Sequence, residues 1–477
     1  MIAPATTARA PSRPGLAEIL IALACFAVLC GAALSRPVTL LEPDDYAYRA
    51  SIVALSEGHI ILTNAQYEDL ASSLQQSSSD GGPVGGQSIS QWTQLDDGRW
   101  VSEKNPGYPF LAVPFELLGS VRMAALFYGG LGCLALFVGA RRWLGAWGGT
   151  WAVGLFCSSG AAMVFAWRAW MPTFTGVALL AAGAGALLWA LLAVDAGERR
   201  RSVIGLLGFL ALEAAMLIRY TDVISLAVAC AAVLALWRLR PSTLPRLAPA
   251  IWLSSAVIAG AATLVWNALV YGSPFATGYA AGVIVFGLGA IAGNLATMPS
   301  KLVTTMPASL LALGALVWMV ARAVRLRIAA ADAEVRESHT TAYRDLAVGA
   351  ALAAAWWGVW ALYFTYYWTA QMHGGADGAV HVVRFFVPAL APIALLGAWA
   401  LVRLPSWLSL AAVTGFFGLG LWSFADMAAA TAHGGAAGGR PGGGSPGGSR
   451  QTPGGTPPTD APVPQEGAPA APGTGQQ

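Results

Sequence analysis

Residues 16–34 read LAEILIALACFAVLCGAAL, nineteen positions carrying one acid, Glu18, and no base. A helix of that length rises about 1.5 Å per residue and comes close to the roughly 30 Å thickness of bilayer hydrocarbon. Arg9 and Arg13 precede the run. Its length and the absence of a clean Ala-x-Ala site favour a retained membrane helix over a cleaved signal peptide. Working outward, further apolar runs fall at Val121–Ala140, Gly148–Phe165, Thr173–Val194, Val203–Ile218, Asp222–Trp237, Ala248–Tyr271, Thr304–Ala321, Leu346–Tyr366, Phe386–Val402 and Trp407–Phe424. The pattern predicts an all-α polytopic membrane protein of about eleven spans, because only helices satisfy every backbone group inside lipid. Composition agrees: 56% of the 477 residues are hydrophobic and 11% charged, against about 25% charged in a soluble domain.

With the N-terminus (1–15) in the cytoplasm, the loops on that side contain Arg141, Arg142, Arg199, Arg200, Arg201, Arg238, Arg240, Arg246, Arg322, Arg325 and Arg327. The positive-inside rule is then obeyed. The first helix (16–36) is followed by a large external loop (37–104), rich in Ser, Gly, Gln and Asp and too long for a simple connector. The multi-helix region covers 105–425. An odd number of spans leaves a Gly/Pro-rich tail (426–477) outside, where its composition predicts disorder. Scarce lysine, with Lys104 and Lys301 alone, beside abundant Ala, Gly and Arg suggests a GC-rich genome and a bacterial plasma membrane. The net charge of +3 gives no reason to expect nucleic acid. Cys25, Cys30, Cys133, Cys157 and Cys230 all lie in apolar runs, where Cys packs as a small hydrophobe. No His/Asp spacing among His59, His373 and His381 matches a metal site, and no cofactor is expected.

The polar chemistry gathers at the loop ends. After the first span comes Glu42-Pro43-Asp44-Asp45-Tyr46-Ala47-Tyr48-Arg49, whose acidic pair suits a general base, a cation site or a cap for an interfacial helix over Tyr46–Leu55. At the far end, Asp96-Asp97-Gly98 between two Trp-containing runs signals a hairpin turn. Lys104 then precedes Pro106-Gly107-Tyr108-Pro109, where the chain re-enters the membrane; it suits a lipid phosphate or ordinary snorkelling. Glu213 is the one acid deep inside an apolar run, either a proton-relay member or a neutral hydrogen-bonded side chain. Tyr46, Tyr48, Trp92 and Trp100 suit sugar stacking or an interfacial aromatic belt.

Pro43-Asp44-Asp45-Tyr46 and Lys104-Asn105-Pro106-Gly107-Tyr108-Pro109 together resemble the GT-C superfamily of integral-membrane glycosyltransferases, especially members similar to protein O-mannosyltransferases and the lipid A aminoarabinose transferase. Echoes extend to about Arg403: Ala140 to Gly145, Ile218-Arg219-Tyr220, Asn267 to Pro274 with Gly278-Tyr279, and Arg384-Phe385-Phe386-Val387-Pro388. Two departures stand out. Asp44-Asp45 replaces the common Asp-Glu, and Trp167-Arg168-Ala169-Trp170-Met171-Pro172 stands where the family carries an acid. The resemblance implies a polyprenyl-phosphate-linked sugar donor, an extracytoplasmic glycan, lipid or protein acceptor, and an inverting displacement. It makes Asp44, then Asp45, the general base. Lys104, Arg384 and Arg219 become candidates for the donor phosphate, and Tyr46, Tyr108 and Arg168 for substrate positioning. Competing structural roles are an Arg219–Asp222 pair, an Arg384–Asp377 pair, and Arg168 as an interfacial anchor between tryptophans.

Two rivals remain. A lipid-linked-sugar flippase or other transporter would string polar groups through the membrane core, whereas here they concentrate at one surface, and no internal repeat is visible. A non-catalytic glycan-lipid-binding relative would tolerate loss of Asp44, Asp45 and Lys104.

Overall fold

The computed structural model describes residues 13–37, 43–76, 89, 91–240, 243–279, 284–328, 335–371 and 376–437. The first apolar run is α1 (Leu16–Leu34). The loop after it holds α2 (Pro43–Ser56), β1 (Ile61–Leu62), α3 (Asn64–Gln76), β2 (Trp92–Gln94) and β3 (Trp100–Ser102). Proline suits the first turn of α2 because it has no N–H to leave unpaired. The Asp-Asp-Gly turn is formed as expected: β2 and β3 are antiparallel, with Thr93 opposite Val101. Gly98 takes the left-handed φ of 82°, which a residue without Cβ adopts readily, and its N–H donates to the Leu95 carbonyl. Strand β1 pairs with the other edge of β3, giving the order β1-β3-β2. The sheet and α3 pack through Leu62, Tyr67, Leu70, Leu74 and Trp92, a small core separate from the membrane helices.

The chain re-enters through α4 (Gly107–Leu117) and continues as α5 (Arg122–Leu144), α6 (Gly148–Cys157), α7 (Gly160–Trp167), α8 (Thr173–Leu192), α9 (Glu198–Ile218), α10 (Val223–Leu239) and α11 (Ala248–Tyr271). Next come α12 (Ala290–Thr305), α13 (Ala308–Ile328), α14 (Val335–Phe364), α15 (Tyr367–Gln371), α16 (Ala376–Val383), α17 (Leu390–Leu401) and α18 (Ser406–Ala437). The outer faces are apolar: Val257, Ile258, Leu269, Val317 and Leu207 are all exposed, as lipid contact requires. The protein is an all-α polytopic membrane protein with a small sheet in its first loop.

The count of eleven spans is not reproduced. Among the described residues nine helices are long and apolar enough to cross, and α6 with α7, bent by 62°, makes a tenth if the pair is one span. The apolar run at Phe386–Val402 becomes a short helical stretch, Val387–Leu401, and every residue of α17 is buried. A short helix that is apolar all round and covered by its neighbours belongs to a protein core. Composition cannot separate it from a lipid-facing span. At the C-terminal end α18 runs to Ala437, beyond the expected start of the tail; residues 438–477 lie outside those described. The chain divides into a compact unit Met1–Gly435 and a second from Ala436 to Gln477, of which only the first two residues are described.

Helices α5, α8 and α9 meet along seams of small residues, the means by which membrane helices approach closely. A Cβ on Gly139 would lie 2.2 Å from the Gly185 carbonyl oxygen, and one on Gly31 would meet nothing within 4 Å. Gly139→Ala is therefore expected to destabilise the protein by about 1–3 kcal/mol through overpacking. Gly31→Ala is expected to be neutral or mildly stabilising, because Ala is the better helix former. Thermal unfolding in detergent distinguishes them.

Buried ion pairs recur among the helices. One sits at the start of α1, where Arg141 pairs with Glu18. In a related cluster Asp345 accepts from the indoles of Trp143 (3.1 Å) and Trp399 (2.9 Å) and from Arg403 (2.9 Å). In the last third of α9, Glu213 accepts from the Ser255 hydroxyl at 2.7 Å.

Candidate active site

The first turn of α2 carries Asp44 to a point where two distant segments converge. Lys104, just after β3, donates from Nζ to Asp44 Oδ1 at 2.7 Å and to the Tyr279 hydroxyl at 3.1 Å. Arg384, in the turn after α16, donates from Nη1 to Asp44 Oδ2. Both carboxylate oxygens thus face a cation. The side chains are nearly closed to solvent, 4% exposed for Lys104 and 13% for Asp44. Burial opposes ionisation of Asp44, but Arg384 and Lys104 outweigh it and hold the carboxyl well below the usual range. Burial also opposes the Lys104 ammonium, and Asp44 with Tyr279 overcomes that, raising its pKa.

The depressed acid contributes stability above the ordinary Asp pKa of about 3.9, lost as pH falls through the folded value. The raised base contributes below the ordinary Lys pKa of about 10.4, lost as pH rises through the folded value. Thermal unfolding is accordingly expected to show no step from this pair between about pH 5 and about pH 9.

A third cation stands behind the first two. Arg219 closes α9 and donates from Nη1 to the Arg384 carbonyl at 2.7 Å. Its guanidinium lies 5.4 Å from the Phe385 ring centre, and that of Arg384 lies 4.8 Å from the same ring and 5.3 Å from Trp368. The aromatic faces help hold like charges close together. No ion pair joins Arg219 to Asp222 among the described residues, and the Asp377 side chain lies outside them. Among the described residues, three cations thus gather around the Asp44 carboxylate.

Asp45 faces the other way. It pairs with Arg168 at 2.7 Å, and both side chains are 1% exposed. Beside them the Tyr108 hydroxyl donates to the Ala169 carbonyl, and the Tyr108 ring meets Tyr48 edge-on at 5.8 Å. The result is a buried strut fastening α2 to the turn after α7. Tyr46 is buried.

Of the residues singled out in the sequence, Asp44, Lys104, Arg384 and Arg219 come together, and Asp45, Arg168 and Tyr108 form the adjoining strut. Trp100 stacks on Tyr67 at 4.0 Å and donates to Asn64, so its faces and N–H serve the loop core. His59 lies 3.1 Å from the Gln66 amide, and His373 is outside the described residues. The cysteines are free thiols, with Cys133 and Cys157 in van der Waals contact at 3.6 Å. Among the described residues no three His, Cys, Asp or Glu side chains are grouped to hold a metal. Sequence reasoning missed Gln91, whose side chain also stabilises ionised Asp44 and whose φ of 62° is left-handed. It missed Tyr279 as the partner of Lys104, although Gly278-Tyr279 had been visible as a motif.

No protein-family model matches the sequence, and no curated protein sequence matches it. Solved structures do. The oligosaccharyltransferase of Archaeoglobus fulgidus in its apo form aligns over 87% of this chain and 56% of its own, with 11% identity and a TM-score of 0.51. This chain shares the fold of that structure. ArnT of Cupriavidus metallidurans in the apo state aligns over 82% of this chain and 61% of its own, at 16% identity and a TM-score of 0.47. The archaeal enzyme AglB of Archaeoglobus fulgidus, in complex with an inhibitory peptide and a dolichol-phosphate, aligns at 10% identity and a TM-score of 0.48, over 87% and 56%. The chain thus spans roughly three fifths of the length of these structures. Within this fold, the ionic cluster lies where the first loop meets the membrane helices.

Proposed function

We propose that this protein is a membrane glycosyltransferase that moves a sugar from a polyprenyl-phosphate-linked donor to an acceptor hydroxyl outside the cytoplasm, in a bacterial plasma membrane. One observation carries the reading: a single buried carboxylate, Asp44, has each oxygen on a different cation, with a third cation behind. The donor phosphate takes over Lys104 and Arg384. Asp44, deprived of its counter-charges, becomes more basic, as a general base must be. It accepts the acceptor's proton as the new bond to the anomeric carbon forms on the face opposite the phosphate, inverting that centre. The bond to phosphate breaks, and its electron pair leaves with the polyprenyl phosphate, which goes from one negative charge to two. Lys104, Arg384 and Arg219 meet the growing charge and favour the transition state over the bound donor. Asp44 is preferred over Asp45 because the Arg168 strut keeps Asp45 buried and engaged. The external loop over 37–104 and the membrane region over 105–425 are proposed as the functional division of the chain.

The test is release of sugar-free polyprenyl phosphate by the purified full chain in detergent micelles, over a panel of polyprenyl-phosphate sugars and hydroxyl acceptors. Micelles have no second compartment, so a flippase yields nothing there. Time-dependent release with at least one combination is expected. No release from any, together with lipid movement across vesicles, would transfer the protein to the transporters.

A further inference from the structure

Helix α5 starts where Arg122 donates to the carbonyl of Arg36, at the loop that carries Asp44, and ends where the Trp143 indole donates to Asp345. Asp345 therefore marks the opposite end of the bundle. Three guanidiniums converge on it from three elements: Arg403, just after α17, at 2.9 Å, Arg344 of α14 at 3.7 Å, and Arg322 of α13 at 3.8 Å. The acid is already engaged. Its Oδ1 accepts from Trp143, and its Oδ2 from Trp399 and Arg403, with the side chain 4% exposed. Arg322 and Arg344 stay beyond hydrogen-bond distance of it, with side chains 34% and 44% exposed. Among the described residues neither donates a side-chain hydrogen bond, so their donors are free for a further acceptor. Burial pushes the Arg403 guanidinium down to about 10, Asp345 opposing the change and the charges of Arg322 and Arg344 adding to it. Three positive charges thus face one negative charge at the ends of membrane helices.

An apolar surface adjoins them. Trp318 lies one turn before Arg322 on the same face of α13, is 42% exposed, and meets Trp399 edge-on at 5.5 Å; the Arg403 guanidinium lies 3.5 Å from the centre of that Trp399 ring. A planar guanidinium matches phosphate oxygens in pairs, and basic pockets between membrane helices take up phospholipid headgroups. We propose that Arg322, Arg344 and Arg403 bind the phosphate of an anionic phospholipid at the end of the bundle away from Asp44, with the lipid's acyl chain against Trp318. A lipid is favoured over free phosphate because it uses both the charges and the exposed ring. The site is separate from Asp44 and independent of the donor reading.

The experiment offers the full chain, in detergent micelles, equal concentrations of phosphatidylglycerol and phosphatidylcholine with the same acyl chains, and counts the retained lipid by native mass spectrometry. Phosphatidylglycerol is expected to be retained about tenfold over phosphatidylcholine. The double variant Arg322→Gln with Arg344→Gln, which spares the Arg403–Asp345 pair, is expected to lose most of that preference. Arg199→Gln with Arg200→Gln removes the same charge from the first turn of α9, where neither arginine pairs with Asp345, and is expected to keep the wild-type ratio. Equal retention of the two lipids by wild type would overturn the assignment without any variant. A ratio unmoved in the first double variant, or lowered equally in both, would also overturn it, the latter because diffuse charge would then select the lipid. Inorganic phosphate at millimolar concentration is expected not to displace phosphatidylglycerol; displacement would give the guanidiniums to a free anion and overturn the lipid assignment.

Discussion

Asp44→Asn is expected to lower sugar transfer by about 10²- to 10⁴-fold, the range associated with a well-placed general base, and at the same time to tighten binding of the donor phosphate. The two effects have opposite signs because Asp44 holds two positions. In the free protein it is the counter-ion that Lys104 and Arg384 share, and a phosphate must displace it. In the proposed donor complex it is the group that would take the acceptor's proton. The neutral amide cannot take the proton, nor can it compete for the cations. Removing one partner of a buried ion pair leaves the other charge uncompensated and typically destabilises by about 3–5 kcal/mol. The variant should therefore melt early without lipid and be rescued by polyprenyl phosphate to a greater extent than wild type, since ligand that binds only the folded form stabilises it. A purely structural role for Asp44 would give the early melting but no gain in phosphate affinity.

Arg384→Ala is expected to act in the opposite sense on binding. A hydrogen bond to a charged group contributes about 1.5–3 kcal/mol, so donor affinity should weaken roughly ten- to hundredfold. Turnover at saturating donor should fall as well, because the leaving phosphate gains charge in the transition state and loses its partner there. Steady-state rates against donor concentration separate the two losses. If Arg384 only anchored the turn between α16 and α17, KM and kcat would change little once the protein was folded. Arg219 reaches the cluster through the Arg384 carbonyl and by its place over Phe385.

Much of this was legible in the sequence, for identifiable reasons. The lipid-facing spans were, because length and apolarity are all that hydrocarbon demands of them; α11 was bounded to the residue, Ala248–Tyr271. The hairpin was legible because Asp-Asp-Gly specifies its turn locally. Asp44, Lys104, Arg219 and Arg384 were picked out individually as ionisable groups at membrane boundaries. Their convergence was not, since Lys104 and Arg384 lie 60 and 340 residues from Asp44 and nothing local encodes the pairing. The Asp45–Arg168 strut was hidden for the same reason, and Arg168 read as an anchor or a substrate contact. Helix α17 misled because an apolar run reads alike whether lipid or protein covers it. Gln91 carried no signal at all: its left-handed backbone is one that glycine or asparagine, rather than glutamine, would have advertised.

The affinity of undecaprenyl phosphate for wild type and Asp44→Asn, measured in nanodiscs at neutral pH, tests the counter-ion exchange most directly. Tighter binding by Asp44→Asn is the predicted result. Weaker or equal binding by a folded Asp44→Asn would mean that the phosphate does not replace Asp44 on Lys104 and Arg384, and would contradict the account.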